Sequence, residues 1–213
     1  MLPHAQDSAA SSVSVTVSGA HTLALGSLSA MNVNNVGQSV TLSVASGTIT
    51  DGHSEDAAGA DGTDITAGSL SITTTALGTA SDAIETRVDT LSLNVGSGGA
   101  YVAEYDALTL SSASVNGVLN LSSGALTVTS ATAGNTSLTA AGATQINSLT
   151  STGNVSLTAT GNTAITALNA AGTVDLTITG EAAITSLTAT GNVGLSATGA
   201  TQIGSLSSSG SVS

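Results

Sequence analysis

Residues 142–213 fall into rows of nineteen: GATQINSLTSTGNVSLTAT (142–160), GNTAITALNAAGTVDLTIT (161–179), GEAAITSLTATGNVGLSAT (180–198) and a shorter GATQIGSLSSSGSVS (199–213). The columns hold without a gap. Gly142, Gly161, Gly180 and Gly199 open the rows, followed by Ile146, Ile165, Ile184 and Ile203, then Leu149, Leu168, Leu187 and Leu206. Gly153, Gly172, Gly191 and Gly210 share a column, as do Val155, Val174, Val193 and Val212. Repetition at a short fixed period is the mark of a solenoid, whose repeats bury their apolar faces only against their neighbours.

Within a row the pattern is that of a strand. In Val155-Ser156-Leu157-Thr158-Ala159-Thr160 apolar residues alternate with hydroxyls, the two-residue period of a strand with one dry and one wet face. The three-residue step from Ile146 to Leu149 breaks the alternation and requires a corner. Gly153 and the row-opening glycines mark two more. Three short strands and three corners make one coil of a triangular parallel β-helix, all-β, with coils of about 18–19 residues. A helical reading fails, because Gly, Thr and Val recur in every row and no stripe of 3.6-residue period is present.

Composition narrows the function classes. Phe, Trp and Cys are absent, and Tyr101 and Tyr105 are the only aromatics, so Ala, Val, Ile and Leu must fill a narrow core. Thirteen carboxylates face one arginine, Arg87, and no lysine, for a net charge of −12. Nucleic acid is thereby excluded as a partner, and an anionic membrane surface is disfavoured. No run of about 18 apolar residues exists, so no membrane insertion is expected. The opening MLPHAQDSAASS has neither a basic nor an apolar region of the kind a signal peptide needs.

Along the chain, residues 1–12 read as a polar arm or cap and 13–213 as one β-helix. The segment 25–47 threads onto 146–161, with Leu25 on Ile146, Leu28 on Leu149, Val40 on Val155 and Leu42 on Leu157. Six extra residues around 32–38 then make a corner loop. A larger corner-loop insertion, DGHSEDAAGADGTD (51–64), lacks large apolar residues and is expected to protrude. Farther on, Leu108 and Leu110 map onto Leu126 and Val128 at eighteen residues. The nineteen-residue register is read from Thr127.

The order SLSIT…ALGT…AIETRVDTLSLN…GGAYVAEYDALTL…GVLNL…GALTV resembles the shaft repeats of filamentous-haemagglutinin-like proteins, very large secreted adhesins of bacterial surfaces and extracellular matrix. The resemblance covers about 65–213 well and 13–50 loosely. It implies a right-handed parallel β-helix, an extracellular or cell-surface location, and a role in adhesion, aggregation or matrix scaffolding. The Asn-Pro-rich motifs of that family's secretion domain are missing, since Pro3 is the only proline.

Five carboxylates of the insertion, Asp51, Glu55, Asp56, Asp61 and Asp64, are candidate calcium ligands, because hard cations take several oxygens. They match neither the EF-hand nor the calcium-roll spacing, and a solvated acidic loop is the competing reading. No other cofactor is expected. Glu104 and Asp106, two apart on one strand face, have a separation compatible with a glycosidase pair. No aromatic platform or lysine is seen to accompany them, so no enzyme is expected. His4, His21 and His53 share no metal-ligand spacing. Asn135, Asn154 and Asn192 follow corner glycines and predict a ladder bonded amide to amide, interrupted at Thr173. Thr158 and Thr160, Thr177 and Thr179, and Ser196 and Thr198 predict outward hydroxyl columns.

The expected function is a non-enzymatic structural or adhesive shaft segment, self-associating by axial stacking of its β-helix ends, near Val13–Val17 and Val212–Ser213. A glycan or cell-surface ligand is a possible partner. The competing classes are a carbohydrate-active or carbohydrate-binding β-helix and an ice-binding solenoid.

Overall fold

A computed structural model describes residues 12–32, 37–52 and 62–213. Nineteen strands form a single sheet, every strand-to-strand pairing is parallel, and no helix occurs among the described residues. The sheet winds into a β-solenoid. Val155 pairs with Val174 and Val174 with Val193, and Leu157, Leu176 and Leu195 follow suit, each step nineteen residues. Leu108 and Leu110 pair with Leu126 and Val128 at eighteen. Sequence period and coil length are therefore one quantity.

Alternation decides what lies inside. In Val155–Ala159 the residues are buried and exposed in turn, and the same holds in Val174–Ile178. The inward Val, Leu, Ile and Ala of all coils form one continuous cluster. Each fully buried Leu or Ile contributes about 1.5–3 kcal/mol. The core is one side chain deep from each wall, so a charge introduced there has no water to reach.

The threading of the first coils differs from the sequence reading. Followed from coil to coil, Val40 joins Leu70, Leu91, Leu110, Val128 and then Ile146. Leu42 leads in the same way to Leu149, through Ile72, Leu93, Ala113 and Ala131. It is Leu23 whose column reaches Val155. Leu25 pairs with Asp51 and Leu28 with Ile65. All three sides of a coil carry the same period-two alternation, so a pattern match slips by a whole side without penalty. The nineteen-residue register also begins later than Thr127. Ala133 still pairs eighteen residues on with Ser151, and the unbroken run of nineteen-residue pairings starts at Thr136, with Val155.

The cross-section changes partway along. In the wide coils 65–67 stacks on 86–88, and 69–74 on 90–95. One coil later 104–107 turns away instead of extending the side that ends at 86–88. Leu108–Val115 stacks on the following side with a bulge at Ser111, Leu91 pairing with Leu110 but Ser92 with Ser112. The bulge becomes a corner in the next coils, where 126–128 and 131–133 form separate sides. One side ends and another splits in two.

The corner asparagines act differently from the expected amide-to-amide ladder. The Asn135 Oδ1 accepts from the backbone N of Asn154 at 2.9 Å, Asn154 Oδ1 from Thr173 N at 2.9 Å, and Asn192 Oδ1 from Ser211 N at 2.9 Å. Asn162, in a second corner, serves Glu181 N at 3.0 Å. Each side chain thus satisfies a corner N–H that the strand ladder leaves out.

Outward positions stack with equal regularity. Thr158, Thr177 and Ser196 form an exposed column, as expected. A longer one runs the length of the solenoid: Thr16, Ser43, Thr73, Asn94, Ser114, Thr132, Thr150, Asn169, Thr188 and Ser207. It carries no charge.

Candidate functional site

The carboxylates concentrate at the corner where the wide side begins and ends. Asp51 closes the strand Ser39–Asp51, and Asp64 immediately precedes Ile65–Leu77. The intervening 53–61 lies outside the described residues, and with it Glu55, Asp56 and Asp61; His4 and His53 are likewise outside. The two ends of the insertion do not protrude. Asp64 is fully buried and Asp51 nearly so, because Leu28 N donates to Asp64 O at 2.7 Å and Gly52 N to Leu25 O at 2.5 Å, tying both ends into the stack.

A third acid, Glu85, joins them from the next coil. Its backbone N donates to Asp64 Oδ2 at 3.0 Å, and Asp64 N donates back to Glu85 O at 2.9 Å. Carboxylate oxygens of Asp51, Asp64 and Glu85 lie within 4.8 Å of one another. Burial is the main cause that pushes the Asp64 carboxyl up to about 8, with Asp51 and Glu85 adding to it against the hydrogen bond from Glu85 N. These are the described residues able to take a hard cation, and two of them belong to the five expected from sequence.

Glu104 and Asp106 do not share a face. Glu104 points inward, 6 % exposed, at the place where the side 86–88 loses its neighbouring strand. Its carboxylate replaces that strand. Thr86 Oγ1 donates to Oε2 at 2.7 Å, Val88 N donates at 3.0 Å to the same oxygen, and Asp106 N donates to Oε1 at 3.3 Å. Burial raises its pKa to about 7 in spite of these donors. Asp106 points outward and pairs with Arg87 Nε at 3.6 Å. The two acids therefore have unlike tasks, a buried cap and an exposed ion pair. The Asp106 side chain also hydrogen-bonds that of Glu104 and adds to the rise in its pKa.

Arg87 also covers Tyr105, its guanidinium carbon 4.4 Å from the ring centroid. Tyr105, Ala103, Glu104, Glu85, Thr86, Thr63 and Gly62 enclose a cleft of about 400 Å³ beside the terminated side. The sequence reading overlooked Glu85 and Tyr105 in this role. The signal was present in ETRVD (85–89) and YVAEYD (101–106). Those segments gather the cation, both tyrosines and several acids into two neighbouring coils, whereas 107–213 contains only Asp175 and Glu181 as charged residues.

Compared with known proteins, the chain matches no family model, no curated protein and no solved structure. What is defined is the class, a parallel β-solenoid with one chemically distinct corner. Among the described residues no helix is long and apolar enough to cross a membrane.

Proposed function

We propose that the chain is a non-enzymatic shaft segment of a bacterial surface adhesin or extracellular matrix fibre, of the filamentous-haemagglutinin-like kind. The observation that supports this reading most is the unbroken ten-rank column from Thr16 to Ser207, which makes the chain a rod that rises by one strand spacing per coil although the coils differ in length. Such a rod spaces and presents other parts of an assembly. Its stability is a sum of coil-to-coil terms, so coils can be added or lost without changing the fold.

Axial self-association belongs to the same reading. Ile203 and Val212 are exposed beside an apolar mouth lined also by Leu195 and Leu206, the kind of surface that a coil stacked along the axis would cover. Display of the chain on a bacterial surface, with and without residues 161–179, tests the function through cell aggregation and attachment. Attachment carried by the displayed chain and retained after loss of one coil supports a shaft. Turnover of a glycan substrate, or no effect of display on attachment, contradicts it.

A further inference from the structure

Tyr105, 73 % exposed, is the most exposed large apolar side chain among the described residues. The residue is nonetheless held in place. Its backbone N donates to Thr86 O at 2.9 Å, and the neighbouring Glu104 is anchored by donors from Thr86, Val88 and Asp106. Asp106, on its other side, holds Arg87 at 3.6 Å, and Arg87 lies over the ring. An aromatic side chain that is exposed and yet held under a guanidinium gives up rotamer freedom with no gain in the core. That is the condition of an anchor in a binding surface, where few rotatable bonds keep the entropic cost of contact low.

The ring borders the cleft of about 400 Å³, within the size range of small-molecule sites. We propose that this cleft binds a short neutral saccharide. The Tyr105 ring is the platform for the C–H face of a sugar, and Thr63 and Glu85 of the same lining meet its hydroxyls. Charge selects among ligands. Arg87 is matched by Asp106, while Glu85 leaves the cleft negative in a protein of net charge −12, so uronate-type and sulfated sugars are repelled. A cationic ligand is not repelled by that field, so its binding is the outcome that the test must separate from that of a neutral sugar. This inference goes beyond the shaft reading and stands without it.

Isothermal titration calorimetry of the full chain tests it, with cellotetraose, laminaritetraose, mannotetraose and N,N′-diacetylchitobiose as probes and tetragalacturonate and tetralysine as charged comparators. At least one neutral probe is expected to bind saturably below about 10 mM, with Tyr105→Ala weakening it at least tenfold and Tyr105→Phe by no more than about threefold. The melting temperature of Tyr105→Ala should match the parent, since the side chain lies outside the core. Saturable binding that Tyr105→Ala leaves unchanged would overturn the proposal. So would silence from every neutral probe, or binding of tetralysine or tetragalacturonate in their place.

Discussion

The side-chain oxygen of Asn135 sits where a Cβ on Gly153 would have to lie, while it accepts the backbone N–H of Asn154 at 2.9 Å. All three heavy atoms nearest to such a Cβ belong to Asn135. The asparagine and the glycine of the next coil are therefore one device, in which the missing side chain makes room for the hydrogen bond. Gly153→Ala should destabilise by roughly 2 kcal/mol or more, and Asn135→Ala by about 1 kcal/mol. In the double variant the clash is gone, so its loss should be smaller than the sum. Denaturant unfolding of the four proteins checks this, and strict additivity would contradict the assignment.

Thr163 lies inside the core, 2 % exposed, and its hydroxyl finds no hydrogen-bond partner; Thr144, one coil before it in the same column, is alike. Valine has nearly the same shape without the stranded polar atom. Thr163→Val should therefore stabilise by about 1 kcal/mol, read as a raised denaturation midpoint. Thr86→Val should do the reverse, because the Thr86 hydroxyl donates to buried Glu104.

Leu176 points inward and Thr177 outward on the same strand. Leu176→Asp places an unpaired charge in the core and should cost at least about 4 kcal/mol, abolishing the cooperative melt, whereas Thr177→Ser should stay within about 0.5 kcal/mol. Equal effects would reverse the inside and outside faces.

Stability should depend on pH through Glu104 and Asp64. Both carboxyls have folded pKa values raised above their ordinary ones, to about 7 and about 8, so the folded chain binds protons more tightly than the unfolded chain. Their contribution is fully present below the ordinary carboxylate range. It is lost as pH rises through about 7 for Glu104 and about 8 for Asp64. Melting temperature should fall over that window. Glu104→Gln should flatten its lower part, and Asp64→Asn its upper part. A rise in melting temperature with millimolar calcium at pH 8 in the parent, absent from Asp64→Asn, would place a cation on Asp51, Asp64 and Glu85; an unchanged melt leaves the proton as their counter-charge.

Much of the fold was legible because solenoid periodicity writes the same contact many times. Val155, Val174 and Val193 announce their stacking in one column. Val40 was misplaced because alternation is identical on every side of a coil, and only the corner lengths tell the sides apart. The site was legible in fragments. Asp51 and Asp64 stood out by composition, but their partner Glu85 comes from the next coil, and the coil-to-coil register that joins them lies across an insertion. Tyr105 was passed over because exposure follows from the turn at 104–107, where a strand gives way to the Glu104 side chain. No periodic pattern encodes that substitution.

The central claim, coils stacked in one register from end to end, is tested most directly by a distance along the uncharged outward column. The chain has no cysteine, so Ser43→Cys and Ser207→Cys give two unique spin-label sites. Eight strand-to-strand steps separate them through Thr73, Asn94, Ser114, Thr132, Thr150, Asn169 and Thr188. At about 4.8 Å per step the separation is about 38 Å. Pulsed electron–electron resonance should show one narrow distribution centred there, broadened only by the label linkers. A broad distribution, or a maximum displaced by the equivalent of two or more coils, would contradict the solenoid described above.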